Sequence, residues 1–127
     1  VDESDGTVLA VKVIAETNYR PSEVDALISC GQDGHKSIAQ YIGTYRKGSD
    51  FWIVQEFVPG CDLSDHIAQS MTGLDELLCC DIFTQLIDAV QHIHSQQFIH
   101  GDLKPENVLF AMDDMHDIKL VDFGAAW

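Results

Sequence analysis

A long stretch of regularly spaced apolar residues is the feature that most restricts how this chain can fold. Its apolar side chains recur at steps of three and four: Leu74, Leu77, Leu78, Ile82, Leu86, Val90 and Ile93. This spacing places them on one face of an amphipathic helix of about six turns. Thr72 is the predicted N-cap, with Asp75 three residues later in an approximate capping box. The sequence therefore predicts one long helix over residues 74–95.

Shorter segments carry strand and helix patterns. Three are rich in β-branched and apolar residues and are predicted strands: 7–14, 37–45 and 50–58. Gly48 is expected in a hairpin turn between the last two. Pro21 and Ser22 can open a helix within 18–30, and a short helix is predicted over 63–69. Two further apolar runs are expected to form a second hairpin: 107–110 and 118–121. The predicted class is α+β, with a small sheet-rich half and a helical half.

Composition limits the classes of partner. The chain has 127 residues, with 21 acidic residues against 7 lysines and arginines, giving a net charge of −14. This charge repels phosphate backbones and anionic lipid, so we expect neither nucleic acid nor a membrane surface as a partner. No apolar run approaches the roughly 20 residues that a membrane helix needs. The four cysteines form no C-x-x-C pair, which favours reduced thiols and an intracellular location, in the cytoplasm or in another reducing compartment such as the nucleus or an organelle.

One polar cluster carries the chemistry. Asp102, Lys104 and Asn107 lie close together in "HGDLKPENVLF", and the second hairpin can bring Asp122 of "VDFG" near them. Two carboxylates, an amide oxygen and an ammonium would then converge beside apolar residues. Oxygen ligands of this kind suit Mg²⁺, which is often shared with substrate phosphates. The set suits phosphoryl transfer, in which positioning and charge neutralisation dominate.

These segments resemble the eukaryotic-type protein kinases. "HGDLKPEN" followed by "VDFG" resembles their catalytic loop and metal-binding loop. "LAVKVI" resembles their third strand, "IVQEFVPGCDL" their hinge, and "LIDAVQHIHSQQFIHGDL" the long helix before the catalytic loop. The resemblance covers residues 7–126. It implies a partial serine/threonine protein kinase domain over 1–127, truncated at both ends. Residues 1–57 would belong to the sheet lobe, 58–62 would be the hinge, and 63–127 would start the helical lobe.

The resemblance also implies a role for each matching residue. Asp102 would be the catalytic base, and Lys104 would touch the transferring phosphoryl group. Asn107 and Asp122 would hold Mg²⁺, and Lys12 would bind the α and β phosphates of ATP. Other residues would surround the adenine and ribose: the backbones of Glu56 and Val58, the gatekeeper Gln55, Ala10 and Leu109 on the two ring faces, and Asp62 near the ribose. The implied cofactors are ATP and Mg²⁺, and the implied substrate is another protein.

Three features depart from the family pattern. The helix glutamate that pairs with Lys12 is best matched by Glu23, only eleven residues further on, with Glu16 as the alternative. Gly101 stands where most protein kinases have an arginine that answers a phosphate on the activation segment, so that route of activation is not expected. No G-x-G-x-x-G precedes residue 7, and no activation segment follows "DFGAAW".

Two other functions stay open. Small-molecule kinases of the aminoglycoside and choline type also have a glycine at the position that matches Gly101, although "KPEN" favours the protein kinases. The chain could instead be a non-catalytic, kinase-like binding module whose long helix exposes an apolar face to a partner. We expect core packing for one set of residues that matches the family's internal packing column: Leu27, Tyr41, His100 and Phe123. His94 and the helix leucines are also expected in the core, and Lys119 on the surface.

Overall fold

β-branched residues build the sheet at the start of the chain. The computed structural model describes three stretches: residues 6–32, 34–112 and 116–127. Three antiparallel strands lie in the spatial order β1-β3-β2: β1 (Leu9–Ala15), β2 (Tyr41–Lys47) and β3 (Asp50–Glu56). Lys12 of β1 lies opposite Ile53 of β3. Gly48 has a φ of +64° in the β2–β3 turn, which confirms the predicted hairpin.

The helices lie close to where their sequence signals predicted them: α1 (Pro21–Gly31), α2 (Leu63–Gln69) and α3 (Glu76–Ser95). Pro21 opens α1, where its fixed φ is compatible with a helix and its missing N–H costs nothing. Short 3₁₀ turns span Glu16–Asn18 and Pro105–Asn107. None of the helices in the described stretches is long and apolar enough to cross a bilayer.

The start of α3 corrects one prediction. The helix begins at Glu76, and the side chain of Asp75, rather than that of Thr72, caps it. Asp75 Oδ2 accepts hydrogen bonds from the backbone N–H groups of Leu77 at 3.0 Å and Leu78 at 3.3 Å. Gly73 has a φ of +83°, which interrupts a helical path between Thr72 and Asp75.

The second hairpin is present and pairs with an unexpected segment. β4 (Val108–Phe110) and β5 (Ile118–Leu120) are antiparallel, as predicted; part of their connection, residues 113–115, lies outside the described residues. Residues 37–40 were predicted to begin the second strand but precede it. Ala39 N donates to Leu120 O at 3.0 Å, and Leu120 N donates to Ser37 O at 2.9 Å. This segment therefore joins β5 to the first sheet.

The core lies between α1, α3 and the β4–β5 hairpin. Leu27, His100 and Phe123 are buried, and the rings of His100 and Phe123 are 4.8 Å apart. Tyr41 is half-buried and packs against this core. The core prediction is thus confirmed for these four residues. It is wrong for His94 and Leu77, which are exposed.

Candidate active site

Lys12 connects three elements of the fold. Its Nζ donates to Glu23 Oε1 at 2.7 Å and to Asp122 Oδ1 at 3.0 Å. Glu23 lies on the buried face of α1, with 4% of its surface exposed, and Asp122 follows β5. The alternative partner, Glu16, instead accepts a hydrogen bond from Arg46 at 2.9 Å. Lys12 therefore joins the first sheet to α1 and to the end of the hairpin.

The separation of eleven positions from Lys12 to Glu23 is enough because the connection is short. β1 ends at Ala15, a single 3₁₀ turn follows, and α1 begins at Pro21, so Glu23 lies in its first turn. Burial disfavours the Lys12 ammonium, but hydrogen bonds to Glu23 and Asp122 outweigh burial and raise the pKa of Lys12. Both carboxylates therefore stabilise the ammonium form of Lys12.

Asp122 is strained as well as charged. Its φ of +60° lies in the left-handed region, which is uncommon for any residue other than glycine. Burial would raise the pKa of its carboxyl, but the hydrogen bond and charge of Lys12 lower it. Its Oδ1 also accepts from Gly124 N at 3.2 Å. The surrounding bonds thus hold an ionised carboxylate in a backbone conformation that a free chain would rarely adopt.

The loop after α3 brings Asp102, Lys104 and Asn107 together. Asp102 Oδ2 accepts from Lys104 Nζ at 2.8 Å and from Asn107 Nδ2 at 3.1 Å. Asn107 Nδ2 also donates to the Asp102 carbonyl at 2.8 Å. The hydrogen bond from Lys104 is the main cause that lowers the pKa of Asp102, and the same bond raises the pKa of Lys104. Asp102 is therefore an ionised acceptor at neutral pH.

His100 links this loop to Val121, the residue directly before Asp122. Its Nε2 donates to Val121 O at 3.1 Å, and its Nδ1 accepts from Asp102 N at 3.3 Å. Val121 N donates in turn to Asn107 O at 3.0 Å. Burial lowers the pKa of His100, which favours the neutral ring that both bonds require. The His100 ring and one backbone hydrogen bond therefore fix the two loops relative to each other.

A cavity of about 280 Å³ lies between the first sheet and β4. Five of the residues predicted around adenine line it: Ala10, Gln55, Glu56, Val58 and Leu109. Ala39, Phe57 and Val121 also line it and were not predicted. The sequence could have pointed to Val121 as a cavity residue, because it directly precedes Asp122. Nothing in the sequence marked Ala39, which lies in a loop, as a cavity residue. Gln55 Nε2 is buried with no partner among the described residues, so it is a spare donor beside this cavity.

The segment after β3 lies close to β4. Gly60 N donates to Phe110 O at 3.1 Å, and Phe110 N donates to Cys61 O at 3.0 Å. A Cβ on Gly60 would lie 2.2 Å from Phe110 O, so only glycine allows this approach. Asp62, expected near the ribose, does not line the cavity; its Oδ1 accepts from Asp65 N at 2.8 Å and caps α2.

Lys119 corrects another prediction. It was expected to be a surface charge, but only 19% of its side chain is exposed. Its Nζ donates to Glu56 Oε2 at 2.9 Å, and the same oxygen accepts from Gln40 N at 3.0 Å. This ion pair joins β5 to the end of β3, beside the cavity. A sequence separation of 63 residues left no local signal for it.

Gly101 has a structural explanation that the sequence did not suggest. Its φ is +79°, and a Cβ there would lie 2.4 Å from Ala125 O. Ile99 lies two residues before Gly101, and Trp127 lies two residues after Ala125. Their backbones exchange two hydrogen bonds of 2.8 and 3.2 Å. The backbone at position 101 is therefore suited to glycine in both conformation and space.

The apolar face of α3 is partly uncovered, as expected. Phe83 and Ile87 of α3 and Leu103 of the following loop are exposed. They line a groove of about 470 Å³ together with Leu86, Val90 and other residues. Its wall is apolar apart from Gln91 and Lys104. This groove is separate from the cavity beside Gln55.

A Mg²⁺ site near Asp122 would have to combine two kinds of oxygen ligand, a carboxylate and an amide. No group of three His, Cys, Asp or Glu side chains among the described residues could hold a metal alone. Asn107 commits its amide hydrogens to Asp102, which leaves its amide oxygen outside these two bonds. One amide oxygen and one carboxylate match the sparse protein ligation of a Mg²⁺ ion that is completed by phosphate and water.

Comparison with known proteins identifies the family. The family model for the protein kinase domain matches residues 1–127. The chain is 33% identical to a putative ribosomal protein S6 kinase alpha-2 of Caenorhabditis elegans, over 96% of the chain and 16% of that protein. It is 32% identical to myosin light chain kinase 3 of Mus musculus, over 98% and 16%. Identity to the serine/threonine-protein kinase ste20 of Aspergillus oryzae is 30%, over 94% and 14%.

The chain thus spans about one sixth of the length of these relatives. The names of all three describe protein kinases, so the comparison does not favour the alternative that the chain is a small-molecule kinase. The matched region includes every element that positions Lys12, Asp102 and Asp122. This chain belongs to the protein kinase family.

Proposed function

We propose that the protein transfers the terminal phosphoryl group of ATP to serine or threonine hydroxyls of other proteins. The arrangement of Lys12 between Glu23 and Asp122 is the observation that carries this proposal. A lysine held by two carboxylates keeps its charge and a defined position, and phosphoryl transfer depends mainly on these two properties.

ATP would occupy the cavity beside Gln55. Ala10 and Leu109 would contact the two faces of the adenine ring, and the backbones of Glu56 and Val58 would pair with its edge. The phosphates would extend toward Lys12, whose ammonium would neutralise part of their charge. Asp62 is proposed near the ribose, in addition to its bond to the N-terminus of α2.

Asp102 would act on the hydroxyl of the protein substrate. As the hydroxyl oxygen bonds to phosphorus and the bond to the ADP oxygen breaks, the hydroxyl proton would pass to the Asp102 carboxylate. Lys104 lies 2.8 Å from that carboxylate and would balance charge on the moving phosphoryl group. Asn107 and Asp122 would hold Mg²⁺, which supplies further neutralisation of the phosphates when bound.

The proposed division of the chain follows these contacts. Residues 1–57 would form part of the sheet lobe, 58–62 the hinge, and 63–127 the start of the helical lobe. The four cysteines are free thiols, which supports a reducing compartment such as the cytoplasm. The uncovered face of α3 supports a second candidate function, a kinase-like module that binds a partner through this face.

The first test is Mg²⁺-ATP binding by the full chain, measured as a rise in melting temperature. We expect a Mg²⁺-dependent rise that Asp122→Asn loses, because the amide removes the charge that faces Lys12 and the metal. Asp25→Asn is the matched control, since Asp25 lies on the exposed side of α1. A rise that Asp122→Asn retains, or no rise with a cooperative melt, would contradict the proposed site and favour the binding module.

A further inference from the structure

We propose that His35 and His92 are positioning residues that hold both carboxylate partners of Lys12 in place only while His35 is uncharged. His35 lies in the loop between α1 and β2, and His92 lies near the end of α3. The relevance to catalysis rests on the proposed function. The way the two histidines hold Glu23 and Asp122 in place depends only on contacts within this fold.

His92 ties the end of α1 to α3. Its Nε2 is 3.2 Å from Cys30 O, one of the last carbonyls of α1, which have no partner within the helix. A carbonyl can only accept, so Nε2 of His92 carries the hydrogen. This bond fixes α1 at the end opposite Glu23.

His35 forms the turn that leads from α1 to β5. Its Nδ1 accepts from Ser37 N at 3.2 Å, and Ile38 N donates to His35 O at 3.1 Å. The next residues bond to Leu120 of β5 through Ser37 O and Ala39 N. Leu120 lies two residues before Asp122. The turn at His35 therefore connects the helix that carries Glu23 to the strand that leads to Asp122.

The two imidazole rings lie next to each other, and the His35 ring is largely buried. Their centroids are 4.8 Å apart, and only 13% of the His35 side chain is exposed. Among the described residues, three other titratable groups lie near them: Asp88, Lys36 and Cys30. Asp88 of α3 lies 3.4 Å from His35 Nε2, and Lys36 lies in the same loop as His35. Burial raises the pKa of the Cys30 thiol to about 11, so Cys30 stays neutral.

A proton on His35 would break the turn. Nδ1 would gain a hydrogen that faces the Ser37 N–H, and two donors cannot bond to each other. The new charge would also lie beside Lys36 and any charge on His92. Burial, the nearby His92 and Lys36 lower the pKa of His35, and the Asp88 carboxylate only partly opposes them. The folded protein therefore disfavours the proton relative to the unfolded chain.

The direction of the pH dependence follows from this difference. A histidine whose pKa is lowered by folding stabilises the fold fully above its unfolded pKa of about 6.5, and the stabilisation falls as pH drops below that value. Acidification should thus loosen residues 35–39 and the end of α1. Glu23 and Asp122 would then lose their fixed positions against Lys12.

The test compares His35→Asn with the wild-type chain. An asparagine side chain can accept from the N–H two residues later, as Nδ1 of His35 does, but it does not titrate. His94→Asn is the matched control, because His94 lies on α3 two residues after His92 and is exposed. Hydrogen exchange of residues 21–31 and 35–39 would be followed at pH 7.5 and 5.5, corrected for intrinsic rates and without nucleotide.

We expect the wild type and His94→Asn to lose protection in both segments at pH 5.5, whereas His35→Asn keeps it. Equal protection of the wild type at both pH values would overturn the proposal. So would a loss in His35→Asn that matches the wild type.

A second measurement needs no variant. In the NMR spectrum of the wild-type chain, the His35 ring should titrate below the ordinary histidine pKa of about 6.5, and the Ser37 amide shift should follow His35. Titration of His35 at or above that value would overturn the proposal. Neither measurement involves nucleotide, so failure of the ATP-binding test would bear on the proposed function alone.

Discussion

At the scale of single residues, Gly101 shows how backbone geometry can govern a position that looks regulatory. The sequence presents it as a missing arginine, and hence as a missing cation for a phosphorylated segment. The structure adds that position 101 has a positive φ and that Ala125 O occupies the space of a Cβ. Any side chain here requires the contact between the two loops to shift, whatever its charge.

Gly101→Ala should therefore destabilise the chain more than the same change at a glycine with free space. Gly34 is the matched control, since its φ is +78° and a Cβ there would meet no atom of the described residues within 4 Å. Both variants bear the cost of an unfavourable φ, about 1 kcal/mol. Only Gly101→Ala also meets Ala125 O, so we expect a total loss of about 2–3 kcal/mol. Urea denaturation would measure both, and equal losses would contradict the close approach.

At the scale of elements, the β4–β5 hairpin depends on contacts outside itself. Its strands have three residues each, and an isolated pair of this size is not stable in water. Gln85 of α3 provides one support: its Nε2 donates to His116 O at 2.7 Å, and its Oε1 accepts from Ile118 N at 3.0 Å. The amide thus bonds the edge of β5 that faces away from β4, next to the bonds between Leu120 and residues 37–39.

Gln85→Glu tests this support. The carboxylate keeps an acceptor for Ile118 N but turns the donor that faced His116 O into a second acceptor. We expect a loss of about 0.5–1.5 kcal/mol at pH 7, the usual net contribution of one hydrogen bond, because the bond to His116 O lies at an exposed site. The loss should shrink in acid, where the protonated carboxyl can donate again. Urea denaturation with Gln91→Glu as the control, on the exposed side of α3, would measure it. Equal effects of the two variants would show that the bonds contribute nothing.

At the scale of the whole molecule, an uncovered apolar groove and a net charge of −14 act in opposite directions. The groove on α3 favours association, because burying apolar surface is favourable in water. Like charges on two copies of the chain oppose it at low ionic strength. Association of the isolated chain should therefore increase as salt screens the repulsion.

Ile87→Asp should reduce this association. It places a charge in the groove, and Val13→Asp is the matched control because Ile87 and Val13 are 56% and 55% exposed. Both variants add the same charge, so a difference between them reports the groove itself. Sedimentation velocity at low and high salt would follow the mass distribution. If Val13→Asp reduces association as much as Ile87→Asp, the groove is not the surface involved.

The sequence by itself determined the elements and the family. The three-and-four spacing of the α3 residues, Pro21 at the start of α1 and the apolar runs of the second hairpin each act over a few residues, so local patterns reveal them. The motifs around Asp102 and Asp122 gave the protein kinase resemblance in the same way. The tertiary structure decided which side chains meet. It pairs Lys12 with Glu23 instead of Glu16, because Glu23 lies on the buried face of α1 while Glu16 lies in an exposed turn. It also joins Lys119 to Glu56 and residues 37–39 to Leu120, contacts between segments far apart in the chain. Such contacts depend on how whole elements pack, and no short window of sequence contains that information.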